Sequence, residues 1–197
     1  MVNSIFYPPI GLAGHARAGK DSLGKALIEV FKTEYHIPAK RFSIAGDYIR
    51  KDLNDLIQSK TNISLYTQDD NEKTLLRPIM VEYGRLMRNT TEGRYFIEHL
   101  QGNKEFRNNN ISIITDMRYT EYPKDEIFWL KNEMKGLLVY IEREGLNPAN
   151  EFERINNEII KREADVVVYT KDNINYEKLI REKAIEVIDK YFSTTFQ

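Results

Sequence analysis

The chain of 197 residues has no cysteine, which excludes disulfides and thiolate metal sites. It also has almost no net charge: 29 lysines and arginines stand against 30 aspartates and glutamates, leaving −1 at neutral pH. Binding to duplex nucleic acid or an anionic membrane surface requires a basic surplus, and none is present. No apolar run approaches the length that crosses a bilayer. The N-terminus lacks the basic-then-apolar pattern of a secretory signal, and neither internal repeats nor low-complexity tracts occur. These absences lead us to expect a soluble cytoplasmic protein with no nucleic-acid or membrane partner. The length fits one domain over 1–197, able to bury a sizeable core and to carry a mobile lid.

What the chain does contain is a short ordered run of glycine, lysine and small residues. Gly14-His15-Ala16-Arg17-Ala18-Gly19-Lys20-Asp21-Ser22 follows the apolar stretch Ile10-Gly11-Leu12-Ala13. This is a G-x-x-x-x-G-K phosphate loop, a nucleotide-binding motif. Glycines let the backbone curl so that successive N–H groups point at phosphate oxygens. Lysine neutralises phosphate charge, and the next helix offers its positive N-terminus to the same anion. Gly14, Ala16, Arg17, Ala18, Gly19, Lys20, Asp21 and Ser22 are therefore the candidate ATP phosphate contacts. His15 reads as an ordinary loop residue, and Arg17 as either a solvated side chain or a phosphate contact. The position after lysine, normally a hydroxyl that helps hold magnesium, is Asp21, with Ser22 next; one or the other must serve. Leu23, Ala26, Leu27, Val30 and Phe31 then recur at helical spacing.

Strand and helix patterns alternate along the rest of the chain. Strands are predicted at 10–13, 41–45, 111–115, 137–141 and 166–169. Helices are predicted at 19–35, 46–57, about 92–100, 122–134 and 151–163, and at the C-terminus. A further helix is marked by Leu75, Leu76, Ile79, Met80, Tyr83 and Met87; Pro78 suits it only in the first turn. Residues 59–73 read as a loop. The alternation predicts an α/β fold of the P-loop NTPase type: about five parallel strands, helices on both faces and a small lid. The helical substrate-binding region is expected at about 46–101 and the lid at about 143–164, where Gly145, Pro148 and a charged helix occur. Ligands of such sheets bind at the carboxyl ends of the strands.

Chemistry-bearing residues fall at those ends. Asp116 closes the predicted strand 111–115, where a magnesium-organising carboxylate belongs, and Arg118 follows two positions later. Arg50, Arg77, Arg85, Arg88, Arg94, Arg143, Arg154 and Arg162 are spread where a second phosphate would need them, since the guanidinium fork donates bidentately. Each could equally be a solvated surface arginine. Tyr7, Tyr48, Tyr66, Tyr83, Tyr95 and Tyr119 could stack on a base, although core packing is the commoner role.

The assembled pattern resembles the bacteriophage deoxynucleoside monophosphate kinases, P-loop kinases that favour Gly-Lys-Asp in the phosphate loop. The resemblance runs in patches from Gly11 to about Thr170. It is carried by Ala13–Ser22, Phe42–Arg50, Arg77–Gly84, Arg94-Tyr95-Phe96, Thr115-Asp116-Met117-Arg118, Ile141-Glu142-Arg143 and Asn157-Glu158. Between Ser43 and Arg77 the chain is shorter than that pattern, and its lid differs. The resemblance implies transfer of the ATP γ-phosphate to a deoxynucleoside monophosphate with Mg2+. Lys20, Asp116 and Arg118 are then the expected catalytic residues, and Asp21 or Ser22, with Asp116 through water, the metal-placing ones. Arg50, Arg77, Arg88 and Arg118 are expected on the monophosphate, and Arg143 and Arg154 in the lid or against adenine. A kinase for another phosphorylated small molecule and a nucleotide-binding regulatory protein are the alternatives. Homodimerisation is left open.

Overall fold

Successive side chains along a strand point to opposite faces, so an apolar strand with few polar breaks is covered on both sides. The computed structural model, which describes residues 6–148, 151–171 and 175–195, shows that arrangement. β1 (Ile10–Ala13), β2 (Ala39–Phe42), β3 (Ile111–Met117), β4 (Leu137–Arg143) and β5 (Val166–Thr170) form one parallel sheet in the order β2-β3-β1-β4-β5. On one face Ile10, Leu12, Ile111, Ile113, Leu137, Val139 and Ile141 meet Leu23, Leu27, Val30 and Phe31 of α1 (Lys20–Thr33). Ala184, Val187, Ile188 and Tyr191 of α7 (Tyr176–Thr195) complete that layer. On the other face Ile114, Met117, Leu138 and Tyr140 pack with aromatic and aliphatic side chains from the remaining helices. Burial of these side chains at about 25 cal/mol per Å² is the main force holding the layers together.

The second layer is built from α2 (Gly46–Thr61), α3 (Asp70–Thr90), α4 (Tyr95–Gln101), α5 (Glu126–Phe128) and α6 (Glu151–Glu163). A single π-helical turn, Trp129–Glu133, extends α5 and seats Trp129 and Leu130 in the core. No described helix is long and apolar enough to cross a membrane.

Several sequence expectations shift. β2 lies two residues earlier than predicted, so Ser43 to Ala45 form a connection. Helix α2 reaches Thr61 and α3 begins at Asp70, which leaves a shorter loop than 59–73. The Asp69 carboxylate caps α3 by accepting the N–H groups of Asn71 and Glu72 at 2.9 and 3.0 Å. Pro78 sits in the interior of α3, not its first turn. It is exposed, as is Thr74 one turn before, so water can take the carbonyl that proline leaves unbonded. The 122–134 segment is helical only from Glu126, β3 continues through Asp116 to Met117, and Arg143 is the last residue of β4. Residues 149–150, inside the expected lid, lie outside the described residues.

Candidate functional site

The loop between β1 and α1 takes the curled form its glycines permit. Gly14 and Gly19 have φ of +133° and +102°, values that L side chains rarely adopt. A Cβ on Gly14 would stand 2.3 Å from the Ile141 carbonyl oxygen, and one on Gly19 would stand 2.6 Å from the Tyr176 hydroxyl. Arg17 is also left-handed, at φ +67°, and its carbonyl accepts from Arg143 Nη1 at 3.0 Å. That bond ties the loop to the end of β4.

Lys20 opens α1 and is 8% exposed. Its ammonium donates to the carbonyls of Gly14 and His15, each at 2.7 Å, and so is held across the mouth of the loop. Burial lowers its pKa to about 8, and Arg118 adds to the fall; Glu153, Asp116 and Asp21 pull the other way. A buried ammonium with this much strain on its charge is poised to gain from an anion.

A cleft of about 830 Å³ opens beside this lysine at the carboxyl ends of the strands. Seven cationic side chains line it: Arg17, Lys20, Arg41, Arg50, Arg77, Arg118 and Arg143. Three carboxylates, Asp21, Asp116 and Glu153, stand against them. In a chain with a net charge of −1 this is a strong local positive excess, suited to polyphosphate. The guanidinium groups of Arg17, Arg77 and Arg118 make no hydrogen bond or ion pair among the described residues, which leaves their forks available to an anion. They reach the cleft from three separate elements: the loop, α3 and the segment after β3.

Asp116 sits in the cleft but is differently employed than expected. Gly11 pairs with Ile114 and Ala13 with Met117, so Thr115 and Asp116 bulge opposite Leu12. The bulge re-aims the Asp116 side chain. Its Oδ1 accepts the Ile44 N–H at 2.6 Å. Its Oδ2 accepts Ser43 Oγ at 2.7 Å and the N–H groups of Ala45 and Gly46 at 3.2 Å each. This carboxylate anchors the N-terminus of α2, and a direct metal-ligand role would require breaking that set. Asp21 is exposed, and Arg41 Nε approaches it at 3.5 Å while also reaching Thr115 Oγ1 at 3.3 Å. Ser22 lines the cleft beside it. Among the described residues no group of three or more acidic or histidine side chains could hold a metal unaided.

Two expected site residues are elsewhere. Arg88 is 2% exposed and does not line the cleft. Its Nη2 meets Asp125 at 2.5 Å, its Nη1 meets Glu126 at 3.0 Å, and its guanidinium stacks on the Tyr119 ring at 3.5 Å. Its expected role on a monophosphate is therefore withdrawn in favour of a structural one. Glu126 in turn accepts the backbone N–H of Arg118 at 2.8 Å and of Tyr119 at 3.3 Å. Burial pushes the Glu126 carboxyl up while Arg88 pulls it down. Arg154 is half-exposed and paired within its own helix to Glu151 and Glu158, at 2.6 and 2.7 Å. It does not line the cleft, so neither the lid role nor the adenine role expected of it is retained.

Among the cleft residues that the sequence analysis does not single out are Arg41, Ser43, Glu153 and Tyr176. Arg41 carries a faint signal, a charged residue one position before a buried strand end, at Phe42. Glu153 and Tyr176 carry none, because only the fold brings α6 and α7 to the loop.

The loop joining the central strand β1 to α1, in a parallel sheet ordered β2-β3-β1-β4-β5 with helices on both faces, makes this an α/β fold of the P-loop NTPase type. The chain is similar in structure to dephospho-CoA kinase from Campylobacter jejuni, with a TM-score of 0.50 and 13% sequence identity, over 96% of this chain and 98% of that one. At that identity the likeness concerns the fold. No protein-family model matches the chain, and no curated protein matches it in sequence.

Proposed function

We propose that the chain is an ATP-dependent kinase that phosphorylates a nucleoside monophosphate, of the deoxynucleoside type its sequence resembles. The observation that carries this reading is the lining of one cleft, where the glycine loop and Lys20 are joined by Arg50, Arg77 and Arg118 from three different elements. Two sets of phosphate-recognising groups facing one space suit a donor and a phosphorylated acceptor.

The triphosphate lies on the N–H groups of residues 14–22, with Lys20 on the transferring and leaving oxygens. Arg118, Arg50 and Arg77 fix the acceptor phosphate, whose oxygen is anionic and attacks without a general base. Asp116 holds Ser43 to Gly46 and so sets the position of α2 and of Arg50. Magnesium in kinases is bound largely by phosphate oxygens with one or two protein groups. Asp21 and Ser22, side by side at the loop, fit that need. There they would hold a divalent cation whose charge would offset that of the phosphates. Catalysis is then positioning and charge neutralisation in a site closed to water.

The test is ADP release from ATP across all ribo- and deoxyribonucleoside monophosphates, with dephospho-CoA, the substrate in the structural neighbour's name, in the same screen. Turnover with one or more monophosphates is expected. Turnover with dephospho-CoA alone, or acceptor-independent hydrolysis alone, would overturn the acceptor assignment.

A further inference from the structure

The amide that should meet a phosphate already meets a carboxylate. Glu153, in the first turn of α6, accepts the Ala16 N–H through Oε1 at 2.9 Å. Ala16 lies in the middle of the phosphate loop. One turn further along the same helix face, Asn157 Nδ2 lies 3.0 Å from His15 Nδ1, to which it donates when that ring is protonated on Nε2. The second Glu153 oxygen lies 3.9 Å from the same His15 nitrogen. Helix α6 therefore docks on residues 15 and 16 through two side chains. Glu153 also lines the cleft and is one of the charges felt by Lys20.

We infer that Glu153 competes with the donor's phosphates for the loop and so sets the affinity for nucleotide. This rests on the reading of residues 14–22 as a phosphate loop. A backbone N–H has one hydrogen to give, so the Ala16 amide can serve Glu153 or a phosphate oxygen, not both at full strength. Repulsion adds to the competition. A polyphosphate on Lys20 would face a carboxylate beside the loop in surroundings where charges are poorly screened. Binding must therefore draw Glu153 off, which also loosens the hold of α6 on the loop. Return of Glu153 assists departure of the spent diphosphate by the same exclusion.

The test is calorimetric titration of ATP and, separately, inorganic triphosphate into the wild type and four variants, with no acceptor present. Glu153→Gln keeps the shape and removes the charge; Glu153→Ala removes the contact; Asn157→Ala removes the neighbouring contact; Lys20→Ala reports on the loop itself. Glu153→Gln and Glu153→Ala should each bind both probes about tenfold more tightly than wild type. Asn157→Ala should tighten binding by a smaller factor, and Lys20→Ala should weaken it strongly. Unchanged or weaker binding in Glu153→Gln, with Lys20→Ala weaker than wild type, would overturn the role of Glu153 and leave the loop assignment standing. Equal binding by wild type and Lys20→Ala would overturn both.

Discussion

The cleft is lined by two kinds of group, made in opposite ways; each is called an end of the cleft for the part it takes in the proposed reaction. The loop end is backbone: residues 14–19, curled between a buried strand and a buried helix face, with one lysine held at its mouth. The other end is side chain: Arg50, Arg77 and Arg118, carried on α2, α3 and the segment after β3, where Arg50 pairs with Asp47 and the Arg118 backbone is held by Glu126, itself paired with Arg88. A backbone site is fixed by local sequence, because the φ values and close approaches at Gly14 and Gly19 call for glycine. A side-chain site is fixed by packing between distant elements. The first survives most changes around it; the second depends on its braces.

The deepest brace should give the largest effect. Arg88→Met leaves the Asp125 and Glu126 carboxylates buried without their cation, which costs about 3–5 kcal/mol. The thermal midpoint should fall by roughly 10 °C, measurable by circular dichroism. A midpoint within 2 °C of wild type would mean that the buried pair contributes little.

At the other end, Lys20→Ala should leave the midpoint nearly unchanged. It should lower kcat/KM about 100-fold or more, the loss of roughly 3 kcal/mol of transition-state stabilisation. Wild-type turnover in the folded variant would contradict the donor assignment.

The same lysine gives a pH dependence of intermediate size. Its pKa, lowered by burial and by Arg118 to about 8, lies below the 10.5 of the unfolded chain. Between these values the unfolded chain binds more protons, so this group's contribution to stability rises with pH in that window. Phosphate binding goes the other way, because the anion needs the ammonium. Inorganic triphosphate affinity should fall as pH rises through about 8, approaching tenfold per unit above it. A flat profile from pH 7.5 to 9.5 would show that Lys20 stays charged throughout or takes no part.

The smallest effect concerns Asp21. It is exposed and only loosely held by Arg41, so its removal should spare the fold. Asp21→Ala should raise the half-saturating magnesium a few-fold, and Asp21→Ser should restore most of it. Identical magnesium titrations for all three proteins would place the ion elsewhere.

What was legible in the sequence follows the same division. The loop was readable because its determinants are contiguous. The sheet was readable because Ile111–Met117 and Leu137–Arg143 are apolar on both faces. Strand ends were less so: Asp116 belongs to β3 through a bulge, which periodicity does not announce. Asp69 followed by Glu72 is a helix-start signal that the polar character of residues 59–73 concealed. Arg88 and Arg118 look alike in sequence. One is sealed between Asp125, Glu126 and Tyr119 and the other opens to the cleft, a distinction that exists only after α3 packs beside the segment following β3. Arg154 was lost to its own helix neighbours for an equally local reason, Glu151 and Glu158 lying one turn away on either side.

The division of the cleft is tested most directly at Arg118, whose backbone is positioned by Glu126 and whose guanidinium faces the cleft. A bidentate contact with the acceptor phosphate depends on geometry that lysine cannot reproduce. The decisive measurement is Arg118→Lys followed in three readouts at once: kcat/KM for the preferred monophosphate, ATP affinity without acceptor, and the thermal midpoint. The expected result is a fall of roughly 100-fold in the first, about the 2.7 kcal/mol appropriate to a lost charge-assisted contact, with the other two nearly unchanged. Weakened ATP binding alone, or an unfolded protein, would contradict it and move Arg118 to the donor end or to the core.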